Sequence, residues 1–144
     1  MHMRIVVVTF DLEPPAHLKA WGREIVVSPA VTPVDGGQWS ERMAVKEAMV
    51  DAVRVSEPYD VVMQDDVTFH SDPFTTPVSA DRVTMLTGAW RAGHWCPRAF
   101  RYGTETMKTR IVDAWTSSPY QACRAWIHIP KRGVEIGAHD GSRV

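Results

Sequence analysis

The sequence predicts an α/β fold, a single domain with a mainly parallel, mixed central sheet flanked by helices. Residues 4–10, RIVVVTF, and 60–63, DVVM, are β-branched apolar runs with almost no polar alternation, the pattern of strands buried on both faces of a parallel sheet. Between them, Val45, Ala48, Met49, Ala52 and Val53 recur at helical spacing. At 144 residues the chain has the size of one domain, and no repeat, low-complexity tract or linker divides it.

Residues 4–10 are expected to form the first, central strand. Asp11, Pro14 and Pro15 break it, residues 16–22 suit a short helix, and residues 24–28, EIVVS, make a second strand closed by Pro29. Residues 34–37, VDGG, read as a turn. Ser40 is placed to cap the long helix, whose other face carries Arg42, Lys46, Glu47, Asp51 and Arg54, and Pro58 stops it. The third strand, 60–63, runs into Gln64, Asp65 and Asp66. Residues 71–77 read as a proline-rich loop, 82–87 as a strand, 93–100 as an extended segment and 104–115 as a helix. Ser118 and Pro119 suit the start of a short helix through Ala125, and 126–129 a last strand ended by Pro130. Residues 1–130 thus form the domain. Residues 131–144, glycine-rich and charged with no apolar period, are expected to be a flexible tail or a loop that closes a site.

Composition narrows the function classes. Sixteen Lys and Arg against seventeen Asp and Glu leave a formal charge of −1, which argues against nucleic-acid binding by a broad cationic face. With 44% hydrophobic and 23% charged residues, wholesale disorder is excluded. No apolar run approaches the ~18 residues that span a bilayer, and no leader pattern opens the chain, so a cytoplasmic protein is expected. Cys96 and Cys123, with no CxxC pair, suggest two reduced thiols rather than a disulfide or thiolate metal site.

Asp65 and Asp66 carry the strongest chemical signal. Adjacent residues on a strand point to opposite faces, so two carboxylates meet one cation only where the chain leaves strand geometry, as it does at a strand's end. In open α/β sheets, ligands bind outside the carboxyl ends of the strands. Carboxylate oxygens there suit Mg²⁺ or Mn²⁺, which can bridge to a diphosphate. The plainer alternative is that two Asp residues solvate a turn.

The order RIVVVTF, EIVVS, WSERMAVKEAMVDAV and YDVVMQDDVTF resembles the nucleotide-sugar-binding half of the GT-A-fold glycosyltransferases, especially the family-two-like enzymes. Residues 39–69 carry most of the likeness, with Arg42 ahead of the helix body and Asp65-Asp66-Val67 similar to an Asp-x-Asp-like motif; TMLTG and IPKRGVEIG extend it less specifically. The resemblance implies a compact or trimmed GT-A-like fold and a metal-dependent transferase, of the hexosyltransferase class, using a nucleotide-diphosphate sugar. It implies Asp66 as ligand of a divalent cation, Mn²⁺ or Mg²⁺, with Asp65 on the metal through water or on the ribose. Asp35 is implied for the base or ribose, and Glu135 or His139, with Asp140 behind them, as the remaining metal ligand. The metal on Asp66 would offset charge growing on the leaving diphosphate. The family's acidic base, near the start of a late helix, has no counterpart between Thr116 and Trp126, and Asp113 falls within a predicted helix. Two other readings therefore stay open: a nucleotide-sugar or metal-binding module without turnover, and a structural protein on the same fold.

Other constellations are weaker. His94-Trp95-Cys96 lacks a third group to orient a Cys–His pair, and His94 is expected to border the donor site. Among Trp39, Trp90, Trp95, Trp115 and Trp126, most belong to a core, and Trp90, read as part of a loop between Gly88 and Gly93, is the one placed to stack on a sugar. Arg98, Arg101, Lys108 and Arg110 form the densest basic cluster, interleaved with Phe100 and Tyr102 as in a nucleic-acid or phosphate site; without a glycine-rich phosphate cradle or an RNA motif it is read as a solvated helix face. A small domain with an open face also suggests a homodimer.

Overall fold

The computed structural model describes residues 3–31, 38–91, 94–117, 127–128 and 137–139; for 38–43, 87–91, 94–97, 117, 127–128 and 137–139 it describes the backbone alone. Strand β1 (Ile5–Thr9) is fully buried along its length. Beside it, in parallel, lie β2 (Ile25–Pro29) and β3 (Val61–Gln64), in a register that sets Ile5 between Ile25 and Val61. Strand β6 (His94–Arg101) is antiparallel to β3 and to β5 (Val83–Arg91), and β7 (Ile127–His128) runs parallel to β5. The sheet order is β2-β1-β3-β6-β5-β7, with β6 running against the other described strands. This is the mainly parallel, mixed α/β sheet that the unalternating runs predict. Helix α1 is Gln38–Val55 and α2 is Glu105–Ser117.

Alternation along β1 divides the core in two. Val6, Val8, Val62 and Phe100 face Val45, Ala48, Met49, Ala52 and Val53 of α1 and Met107, Ile111 and Trp115 of α2. Ile5, Val7, Val61 and Met63 face the other way, onto Leu18 of a 3-10 turn (Ala16–Trp21), Val67 and Phe69 of β4 (Val67–Phe69), and Phe74 of a second 3-10 turn (Pro73–Thr75). A strand with cover on both faces is apolar on both unless each polar group finds a buried partner, which is why RIVVVTF lacks alternation.

Both helices end on local chemistry. The Ser56 amide donates to Ala52 O at 3.0 Å and its hydroxyl to Val53 O at 2.7 Å, two residues ahead of Pro58. Thr104 caps α2 by accepting from the Met107 amide at 3.1 Å. At the amino edge of β1 and β3, the fully buried Asp60 carboxylate takes the Arg4 amide at 2.8 Å, the Arg4 guanidinium at 3.1 Å and the Glu57 amide at 2.8 Å. That pair staples the two central strands together at the end away from Asp65 and Asp66.

Four expectations change. Helix α1 starts at Gln38, so Ser40 and Arg42 lie inside it rather than ahead of it. The strand expected over 82–87 continues to Arg91, and Trp90 pairs with Trp95 instead of occupying a loop; a glycine such as Gly88 is tolerated near a strand irregularity, and the register does shift between Thr87 and Gly88. Arg98 and Arg101 are buried strand residues of β6, not a solvated helix face; only Lys108 and Arg110 lie on α2. The guanidinium of Arg101 is consumed by main-chain carbonyls, Tyr59 O at 3.0 Å, Phe74 O at 3.2 Å and Thr76 O at 2.8 Å. Finally, β8 (Gly137–His139) pairs antiparallel with β4, so part of the glycine-rich end is strand. The helix expected over 119–125 lies outside the described residues. No helix among the described residues is long and apolar enough to cross a membrane.

Candidate functional site

Because β1, β2 and β3 are parallel, their carboxyl ends share one edge. Ala30 N donates to Thr9 O at 2.8 Å and Asp65 N to Val8 O at 3.0 Å, so the chain leaving β2 and β3 is tied to the end of β1. Asp65 and Asp66 form the turn between β3, in the main sheet, and β4, in the second sheet. The carboxylates therefore stand where the strand ends, as the sequence predicts.

The two side chains are held by neighbours on opposite sides of β3. Thr9, the last residue of β1, donates its hydroxyl to Asp65 Oδ2 at 2.7 Å, and the same hydroxyl accepts the Asp11 amide at 3.0 Å. On the β6 side, Arg98 Nη1 donates to Asp66 Oδ2 at 2.8 Å. Both side chains of this ion pair are 3% exposed.

The backbone of β6 explains how an arginine reaches that seat. Phe100 pairs with Val62 and Ala99 with Met63, so Arg98 comes one step further along, level with the end of β3. On the β5 side, Thr87 pairs with Ala99 and Gly88 with Pro97, which leaves Arg98 as the extra residue of a bulge. A bulge re-aims a side chain and bends its strand. Pro97, with no N–H for the ladder, suits such a place. Beyond it, β5 and β6 continue as a pair past the end of β3; at 3.3 Å per residue, residues 94–97 add about 13 Å. Trp90 and His94 lie on this extension.

The carboxylate of Asp66, to which the sequence resemblance assigns a divalent ion, is paired with Arg98 through Oδ2. Asp65, turned toward Thr9, lies on the other side of β3. Among the described residues, no three His, Cys, Asp or Glu side chains are grouped to hold a metal. The backbone of His139 lies opposite Val67, the residue that follows Asp66, in the β4–β8 register. Glu135, Asp140 and Asp35 lie outside the described residues, and Arg42, Trp90, His94 and His139 are placed by backbone alone.

Sequence reasoning placed Arg98 in a basic cluster without linking it to Asp66, and did not single out Thr9. Their signals were faint: a proline before an arginine inside an apolar strand, and one hydroxyl at the close of a run of valines. Trp115 is confirmed as core, meeting Phe100 edge-on at 6.0 Å. Asp113 is exposed in the body of α2. Set against protein-family models, curated proteins and solved structures, the chain matches none of them.

Proposed function

We propose that the chain binds a nucleotide-diphosphate sugar at the carboxyl edge of its sheet and transfers the sugar to an acceptor, as a compact protein of GT-A-like fold. One observation carries the reading: parallel β1 and β3 deliver Asp65 and Asp66 to the edge where open α/β sheets receive ligands. The element order that suggests the family in sequence, strand, strand, long helix, strand and acidic pair, is kept, and a late strand, β8, crosses next to the pair. Asp65, oriented by Thr9, is the carboxylate proposed to contact the ribose. Asp35, Arg42, Trp90 and His94 are the further donor contacts proposed. Asp66 is engaged by Arg98, whose guanidinium brings positive charge to the same edge.

Transfer breaks the bond between the anomeric carbon and a diphosphate oxygen, and the acceptor hydroxyl needs a base within hydrogen-bond reach. The sequence carries no carboxylate between Thr116 and Trp126, where the family would place that base, and Asp113 lies in the body of α2, which favours a second reading: donor binding without turnover.

Calorimetric titration of uridine and guanosine diphosphates and their sugars tests the site, with Asp65→Asn as control. Binding that weakens about tenfold in Asp65→Asn, a loss of ~1.4 kcal/mol, supports it. No binding of any nucleotide to a folded wild-type chain refutes it. Release of free sugar or transfer to an acceptor mixture then separates enzyme from binding module.

A further inference from the structure

The basic residue that closes on Asp66 was read from sequence only as one member of a basic cluster, with no link to the acidic pair. Arg98 is 3% exposed, sits at a bulge, and uses Nη1 on Asp66. Its Nε is also buried, and among the described residues it has no hydrogen-bond partner. A guanidinium carries five N–H donors in a planar fork suited to paired oxygens of phosphate or carboxylate. A buried donor without an acceptor is costly, so a fold that keeps one at a ligand-binding edge invites an acceptor from outside. The neighbouring carboxylate holds the fork in place while leaving part of it unused.

We infer that Arg98 is itself the cation of this site: it takes the oxygens of a diphosphate directly, and binding of the nucleotide needs no divalent metal. The inference rests on the proposed diphosphate site and names how its charge is met. Asp66 then acts as a positioning residue, orienting the guanidinium rather than touching the ligand. Since the guanidinium is closed off from solvent, entry of the anion has to uncover it. A charge-assisted, forked contact of this kind is geometrically specific, so lysine cannot replace it without loss.

The test is titration of uridine diphosphate and of inorganic pyrophosphate into the full chain, each in EDTA and in Mn²⁺. Wild type is compared with Arg98→Lys and with the neutral pair Arg98→Gln with Asp66→Asn, all checked for folding by circular dichroism. The expected result is wild-type binding in EDTA within about twofold of that in Mn²⁺, with a loss of about tenfold or more in Arg98→Lys and in the neutral pair. Pyrophosphate binding alone would still place the diphosphate on Arg98 and separate it from the nucleoside contacts. Binding that appears only with Mn²⁺ would keep the nucleotide-sugar reading and overturn the role of Arg98. Unchanged affinity in folded Arg98→Lys would overturn it too, and binding of neither ligand would overturn both.

Discussion

Tyr102 sits fully buried just past β6, its hydroxyl hydrogen-bonded to the Ser56 hydroxyl at the foot of α1, while Lys108 donates to Ser56 O at 2.8 Å. Burial pushes the phenol's pKa well up, with the Ser56 hydrogen bond acting in the opposite direction and Asp60 adding to the rise. A pKa raised on folding contributes stability that is intact below the unfolded value, about 10 for tyrosine, and is lost as pH climbs toward the folded value. Tyr102→Phe removes both this dependence and the bond to Ser56. At pH 8 the variant is expected to be less stable by ~1 kcal/mol, and the gap should narrow above pH 10. Urea midpoints from pH 8 to 11 read it directly; two parallel alkaline limbs would show that Tyr102 is not the group responsible. The same scale contains the site's main surprise. Thr9 and Arg98 each hold one of two adjacent carboxylates, and neither partner is visible in the spacing DD.

The junction between β6 and α2 depends on Gly103. A Cβ there would lie 2.8 Å from Ser79 O and 3.0 Å from Val78 Cγ1. The loop before β5 therefore lies directly against the chain, where the Thr104 hydroxyl also donates to Ala80 O at 3.1 Å. Gly103→Ala is expected to cost about 1–3 kcal/mol by overpacking, seen as a lower urea midpoint with an unchanged m-value. An unmoved midpoint would mean that the loop gives way freely. Element existence was legible where periodicity is strong: β1, β3, the buried stripe of α1 and the body of α2. Element extent was not. Gly88 and Gly93 disguised the β5–β6 pair as a loop around Trp90, because a glycine gives the same signal at a turn and at a strand irregularity. The end of the chain has no apolar period, yet 137–139 forms β8, since pairing with β4 is made by main chain rather than by side chains.

Across the whole molecule, stability should concentrate in the strands covered on both faces. β1 and β3 are fully buried, whereas β2 at the sheet edge is partly exposed along Ile25, Val26 and Val27. Hydrogen exchange should thus be slowest in peptides spanning 5–9 and 61–64, opening only with global unfolding, and faster in 25–29. Equal protection of β2 and β1 would point to an additional partner along the β2 edge, such as a second copy of the chain. The Arg4–Asp60 pair and the Asp66–Arg98 pair lie at opposite ends of β3, so the strand that carries the candidate site is pinned at both.

By itself the sequence determined the fold class and the position of the acidic pair. Both follow from local physics: strands buried on two faces are apolar along most of their length, an amphipathic helix repeats near 3.6 residues, and two aspartates mark the end of such a strand. The tertiary structure decided what those aspartates touch. Arg98 follows Asp66 by 32 positions, and the two meet only because β6 lies antiparallel beside β3 and bulges at Arg98. Thr9 reaches Asp65 over 56 positions through the parallel pairing of β1 with β3. Contacts of that range are set by strand order and register, which no local pattern encodes, and they turn a pair that reads as a shared cation site into two carboxylates held on opposite sides of one strand.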